Sequence, residues 1–194
     1  MSNIKSPYRY DHVGSFLRPE ELKKARKDFK AGKVSREELT AIEDKAITAL
    51  VEKQKKAGFH IITDGEYRRE FWHLDFMWGF EGVAHENTGS GVQFSGELAA
   101  LDDTYLVGKI KAAPHPFVEY FKFLKRFEDE QTVAKYTIPA PAQTFQQMIV
   151  PQNIEQTRKF YSTNEELIQD IGAAYQAVIK QFYEAGCRDL QLDD

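Results

Sequence analysis

One pattern is written twice in this chain, and it constrains the fold more than any other feature. Ala57-Gly58-Phe59-His60-Ile61-Ile62-Thr63-Asp64-Gly65-Glu66 follows one long helical pattern, and Ala185-Gly186-Cys187-Arg188-Asp189-Leu190-Gln191-Leu192-Asp193-Asp194 follows another. Each runs Ala-Gly, then a short apolar segment, then acidic residues. A glycine after a helical run supplies the left-handed residue that ends a helix. A compact apolar run bounded by such signals reads as a buried strand. The repeated pattern is a β/α unit with carboxylates at the C-terminal tip of its strand, where β/α barrels place their chemistry.

The rest of the chain extends this reading. Pro19, Glu20 and Glu21 suit a helix start, and that helix is expected to run to Gly32. Ser35 to Glu38 spells a capping box ahead of a helix with Leu39, Ile42, Ala46, Leu50 and Val51 on one face. Ser162, Thr163, Glu165 and Glu166 give overlapping capping signals before Leu167, Ile171, Ala174, Tyr175, Val178, Ile179 and Phe182 at helical spacing. Strands are expected at about 10–14, 59–63, 133–138 and 188–193, with Pro139 and Pro141 closing the third. From Trp78 to Ala112, turn residues punctuate short runs in a hairpin-like excursion. Alternation of strands and helices predicts an α/β chain with parallel strands. The expected fold is a parallel (β/α)8 TIM-type barrel, here about its first four β/α units with the excursion near 78–112. No low-complexity linker divides residues 1–194, so they read as one domain, the N-terminal and incomplete part of a barrel.

Composition narrows the function. The formal net charge is -4, which does not favour nucleic acid as a partner. Lysines and arginines are densest from Lys23 to Lys33, where alternation with acids reads as a solvated helix face. The single cysteine, Cys187, forbids an intramolecular disulfide and points to a reducing, cytoplasmic setting. No apolar run reaches membrane-spanning length, so no membrane partner is expected.

Three constellations can carry chemistry. Asp11-His12-Val13-Gly14-Ser15-Phe16-Leu17-Arg18-Pro19 offers a close backbone approach and a hydroxyl, though a plain strand-to-helix turn capped by Ser15 reads from the same residues. Thr63-Asp64-Gly65-Glu66-Tyr67-Arg68-Arg69 places two carboxylates around a glycine. Those carboxylates suit an ammonium or ring nitrogen, and the arginines suit a carboxylate; a surface salt-bridge cluster is the alternative. Gln191-Leu192-Asp193-Asp194 places acids at another strand tip, or a helix cap. The five histidines form no close pair at ligand spacing, and Cys187 reads as a buried structural thiol, so no metal ligand is assigned.

Together these segments resemble the cobalamin-independent methionine synthase family, most closely its short, single-barrel members. The resemblance rests on Asp11 to Pro19, on Thr63 to Arg68 and on Leu190 to Asp194. It implies a zinc-bound homocysteine thiolate that takes the methyl group of 5-methyltetrahydrofolate, with zinc lowering the thiol pKa. It further implies that Ser15 holds the homocysteine carboxylate. Glu66 and Asp193 would hold its amino group, with Glu66 also facing the pterin. His12, Arg18 and Asp64 lie in the matched motifs without a separate role. The family's zinc ligands belong to later strands, beyond Asp194, so this chain alone is expected to hold no catalytic zinc and not to catalyse methyl transfer. A missing barrel half or self-association is the expected partner. A related zinc-dependent alkyltransferase with another thiol or donor, or a non-catalytic half-barrel binding module, are the competing readings.

Overall fold

A computed structural model describes residues 11–94 and 97–194, except for the side chains of residues 87–94 and 97–103. The described residues form two compact units. One takes the chain up to Trp72 with Glu119–Thr137 and Ala185–Gln191; the other takes His73–Val118, Ile138–Glu184 and Leu192–Asp194.

The first unit opens with helices α1 (Glu20–Lys30) and α2 (Arg36–Lys56). Ser35 caps α2 as the sequence predicts: its Oγ accepts from the Glu38 N–H at 3.1 Å, and the Glu38 carboxylate accepts from the Ser35 N–H at 2.8 Å. The buried face of α2 differs from the expected one. Leu39, Glu43, Ile47, Leu50, Val51 and Gln54 are buried, whereas Ile42 and Ala46 are only half-buried. Two polar residues take core positions because each finds a partner there. Glu43 receives Arg26 and Arg68, both at 3.1 Å. Gln54 donates to the Thr63 carbonyl at 2.8 Å and accepts from the Thr63 N–H at 3.0 Å, acting as a surrogate strand at the end of β1 (Ile61–Ile62).

The second unit contains α3 (Leu74–Met77) and an antiparallel ribbon of β2 (Phe80–Phe94) and β3 (Glu97–Ala112), the hairpin-like excursion of the sequence. Gly82, at φ +83°, makes its bulge; a Cβ there would lie 2.3 Å from the Lys109 carbonyl oxygen. Helix α4 (Pro116–Lys125) follows, then β4 (Val133–Pro139), α5 (Pro141–Ile149), α6 (Ile154–Thr157), α7 (Asn164–Glu184) and β5 (Asp189–Asp193). Side chains from α6 and its N-cap finish the ribbon's polar edge. Asn153 donates to the Thr104 carbonyl at 2.7 Å and Gln156 to the Leu106 carbonyl at 2.8 Å. Its core is aromatic: Phe76, Phe80, His115, Phe117 and Tyr175 pack ring to ring. His115 is fixed by donating from Nε2 to the Phe76 carbonyl at 2.9 Å and accepting the Phe117 N–H at Nδ1.

The expected TIM-type barrel does not form. Strands β1, β4 and β5 make a three-stranded sheet with β4 in the middle, and β1 pairs with β4 in parallel through Ile61–Val133 and Ile62–Ala134. Strands β2 and β3 make a separate two-stranded sheet, and neither sheet closes. Three physical causes stand out. The ribbon satisfies its own hydrogen bonds and adds nothing to the parallel sheet. The described part of the expected first strand, Asp11–Gly14, is irregular, and Tyr10 lies outside the described residues. Its polar groups go instead to Lys135, whose ammonium binds the Asp11 carboxylate and the His12 carbonyl. Three strands are too few to curl into a closed barrel. The α/β class and the strands at β4 and β5 agree with the sequence reading.

Candidate functional site

The site is built from the first unit, where two of the three motifs meet. The Phe16 N–H donates to the Gly65 carbonyl at 3.2 Å, so Ser15 and Glu66 flank one backbone hydrogen bond. The Tyr67 hydroxyl donates to the Leu17 carbonyl at 2.8 Å. Arg18 closes the junction: its Nη2 donates to the carbonyls of Glu66 at 3.0 Å and Arg69 at 2.8 Å. Arg18 thus has a role that sequence alone did not give it, as the clamp that joins the two motifs. His12 stacks on Phe16 with ring centroids 3.7 Å apart. Ser15 itself is exposed.

Gly65 and Glu66 both adopt left-handed backbone, φ +65° and φ +59°. Glu66 is the one non-glycine residue with positive φ among the described residues. The turn leaves no room at Gly65, where a Cβ would sit 2.4 Å from Leu50 Cδ2. Asp64 holds the strained residue by accepting the Glu66 N–H at Oδ1, 2.9 Å. A glutamate in this region costs on the order of 1–2 kcal/mol, which the surrounding bonds must offset.

The Glu66 carboxylate is buried, at 4% exposure, which rules out the surface salt-bridge alternative for it. Its Oε1 accepts from Thr137 Oγ1 at 3.2 Å and lies 3.4 Å from Arg69 Nη1. Arg69, at 1% exposure, also donates from Nη2 to Thr137 Oγ1 at 3.0 Å and to the Thr137 carbonyl. The Arg69 guanidinium lies over the Tyr136 ring at 5.2 Å. Burial, with the Asp64 charge nearby, holds the Tyr136 hydroxyl well above its ordinary pKa, so it stays protonated. Asp64 Oδ2 is buried with no hydrogen-bond partner among the described residues. Asp64, Glu66, Arg69, Tyr136 and Thr137 form a buried, charged cluster.

The two arginines of the motif divide their work. Arg68 leaves the cluster, pairs with Glu43 and Asp44, and lies over the Phe123 ring at 4.9 Å. Neither arginine belongs to a surface salt-bridge cluster. Thr137 and Lys135 are the residues that motif reading missed; Arg69, read there as suited to a carboxylate, meets the Glu66 carboxylate and Thr137. Lys135 carried a signal, as the one charge within the apolar run Val133–Pro139. Its three donors reach Asp11, the His12 carbonyl and Gln191 Oε1, which satisfies the ammonium in full.

Asp193 falls in the second unit. It is half-buried, and its carbonyl accepts the Ala140 N–H at 2.6 Å. Among the described residues, no group of three or more His, Cys, Asp or Glu side chains is placed to hold a metal ion. Cys187 is buried, and burial pushes its thiol up to about 11, so it is a neutral thiol donating to the Asp189 carbonyl rather than a thiolate ligand. The residues present therefore do not fit a zinc ion. No helix among the described residues is long and apolar enough to cross a membrane.

Comparison with known proteins identifies relatives. A family model for the cobalamin-independent synthase catalytic domain matches residues 11–114. The uncharacterized protein YxjH of Bacillus subtilis is 40% identical over 190 residues, 98% of this chain and 48% of its own length. The methionine synthase of Saccharolobus solfataricus is 28% identical over 187 residues, 94% of this chain and 51% of its own length. Among solved structures, the putative vitamin-B12 independent methionine synthase of Listeria monocytogenes is similar, with a TM-score of 0.77 and 38% identity. That match covers 99% of this chain and 53% of the Listeria chain. The chain spans about half the length of the curated relatives it matches.

Proposed function

The chain belongs to the cobalamin-independent methionine synthase family through its catalytic domain, and from this premise we propose that it forms part of a homocysteine S-methyltransferase that makes methionine. The donor in this reading is 5-methyltetrahydrofolate. The sulfur–carbon bond forms as the donor's carbon–nitrogen bond breaks, and the donor nitrogen keeps the electron pair. Zinc would supply an anionic thiol at neutral pH, but the described residues do not fit it and receive no part in holding it. The relatives' remaining length, or a second copy, would complete the protein. A cytoplasmic setting fits the lone, neutral Cys187.

The observation that carries the reading is Glu66. A glutamate held at φ +59° inside a buried, charged cluster is strained backbone in a motif the family match covers. Strain of this kind, kept by over-determined surroundings, is the mark of a functional residue. In this reading Arg69 and Thr137 orient the Glu66 carboxylate toward the ammonium of a bound amino acid, and the exposed Ser15 hydroxyl donates to the amino acid's carboxylate. Asp193 is proposed as a further ammonium partner on the motif resemblance alone.

Binding of homocysteine and methionine to the purified chain, followed by calorimetry, tests this. Ser15→Ala removes an exposed hydroxyl and should weaken binding several-fold without loss of folded protein. Glu66→Gln removes a charge-assisted hydrogen bond worth about 1.5–3 kcal/mol, and should weaken binding of the folded fraction about ten- to a hundredfold. Equal binding by wild type and both variants would remove Ser15 and Glu66 from the site.

A further inference from the structure

Lys135 is an unusual residue for its place. It stands in the apolar run of β4 at 4% exposure, where a lysine persists only if its ammonium is paired. Apolar packing serves a buried strand position as well as a paired charge does, so stability alone does not ask for an ammonium there.

What the ammonium holds is the first motif. Asp11–Pro19 forms neither helix nor strand, so no regular ladder fixes its backbone. It is fastened at two points instead. At one, the His12 carbonyl accepts from Lys135 Nζ at 2.8 Å, and the Asp11 carboxylate pairs with the same ammonium. At the other, the Phe16 N–H donates to the Gly65 carbonyl at 3.2 Å. The His12 ring stacks on the Phe16 ring and closes the segment between them. Ser15 lies inside that closed segment, one residue after Gly14, whose φ of +79° makes the turn.

The third proton of the ammonium goes to Gln191 Oε1 at 2.8 Å, which ties β5 to the same point. Two residues along β4, and so on the same face of the strand, Thr137 donates to the Glu66 carboxylate. One face of one strand thus gathers the segments that carry Ser15 and Glu66. With all three protons committed to the protein, Lys135 has none left for a ligand anion.

We propose that Lys135 is a positioning residue of the amino-acid site. It fixes Asp11–Phe16 so that the Ser15 hydroxyl is presented to the ligand's carboxylate, and it acts through Ser15 alone. The inference rests on the reading of Ser15 as the carboxylate's partner. Losing the Lys135 tie costs the ligand the same hydrogen bond that Ser15→Ala removes, and no second one.

A double-mutant cycle on the purified chain, with methionine as the probe and calorimetry as the readout, tests this. Lys135→Met and Ser15→Ala should each weaken binding about three- to tenfold, the worth of one hydrogen bond. The double variant should bind about as the singles do, because the bond is already lost. The urea midpoint of Lys135→Met should stay near that of wild type, since the Asp11 side chain left behind is 31% exposed and can be solvated. Asp11→Ala, at an exposed residue, loosens the same tie and serves if Lys135→Met does not fold. It should weaken binding about twofold, and again not add to Ser15→Ala. A wild-type chain that binds no methionine would overturn the reading of the site and this inference with it. Wild-type binding that Lys135→Met or Asp11→Ala leaves unchanged would overturn the inference alone. So would a double variant weakened by the product of its two single effects.

Discussion

In the first Ala-Gly copy every residue from Ile61 to Tyr67 is buried; in the second, Cys187 is the one buried residue from Cys187 to Asp194. The two segments share a spelling and differ in company. Gln54 replaces a strand neighbour for Thr63, Arg18 clamps the Glu66 carbonyl, and Arg69 with Thr137 meets the Glu66 carboxylate. Around the second copy the acids remain half-buried or exposed. The spelling sets where a helix stops and a strand starts. Whether the acids that follow are buried depends on residues far away in the chain, and burial decides how costly a change there becomes.

The largest expected contrast is between the two turn glycines. Gly65→Ala meets two penalties, a left-handed φ and a Cβ placed 2.4 Å from Cδ2 of the buried Leu50. The cost should be about 2–4 kcal/mol. Gly186→Ala meets the same φ penalty, but its nearest neighbour is the end of the flexible Lys125 side chain at 2.8 Å. Its cost should be about 1–2 kcal/mol. Urea unfolding of both variants checks the order, and equal midpoints would break the comparison.

Cys187 stands where Phe59 stands in the first copy, and it gives the comparison a pH handle. Burial raises the folded thiol from 9.0 to about 11. The folded state then holds its proton more tightly than the unfolded state does. Stability is fully present below the unfolded pKa and is lost as pH rises toward the folded value. Between pH 9 and 11 the loss from this group is on the order of 2–3 kcal/mol. Unfolding measured at pH 8 and at pH 10.5, in wild type and in Cys187→Ala, isolates it from the tyrosines and lysines. A wild-type chain that loses no more stability than the variant would show the thiol to be solvated.

Local signals were legible and distant pairings were not. The capping box at Ser35, the end of β4 at proline and the excursion into a ribbon all follow from residues within a few positions of one another. The barrel did not follow, because closing a sheet depends on pairings that alternation cannot specify. The Asp11–Gly14 stretch shows why: it gave its polar groups to Lys135, more than a hundred residues later, in place of a strand. The same holds for the site. Glu66 and Ser15 were legible as motif residues, whereas Thr137 contacts Arg69 across 68 residues and leaves no pattern in sequence. The burial of Glu66 was not legible either, because it depends on Arg69 and Thr137 meeting its carboxylate.

That last point gives the smallest contrast and the sharpest one. Gln in place of Glu66 keeps shape and volume, so exposure alone predicts almost no change in stability. Burial beside Arg69 predicts otherwise. Glu66→Gln leaves a guanidinium at 1% exposure without the counter-charge 3.4 Å away, with Asp64 still nearby. Truncating one partner of a buried pair can cost about 3–5 kcal/mol, and the amide retains a hydrogen bond to Thr137, so about 1.5–3 kcal/mol is expected here. Asp193→Asn, at a half-buried acid in the second copy, should cost less than about 1 kcal/mol. A difference of about 1–2 kcal/mol between the two variants, read from urea midpoints at pH 7, is the signature of the Arg69 cluster. If both variants unfold together with wild type, the Glu66 carboxylate faces solvent in solution. The strained turn would then be held by its backbone bonds to Asp64 and Arg18 alone.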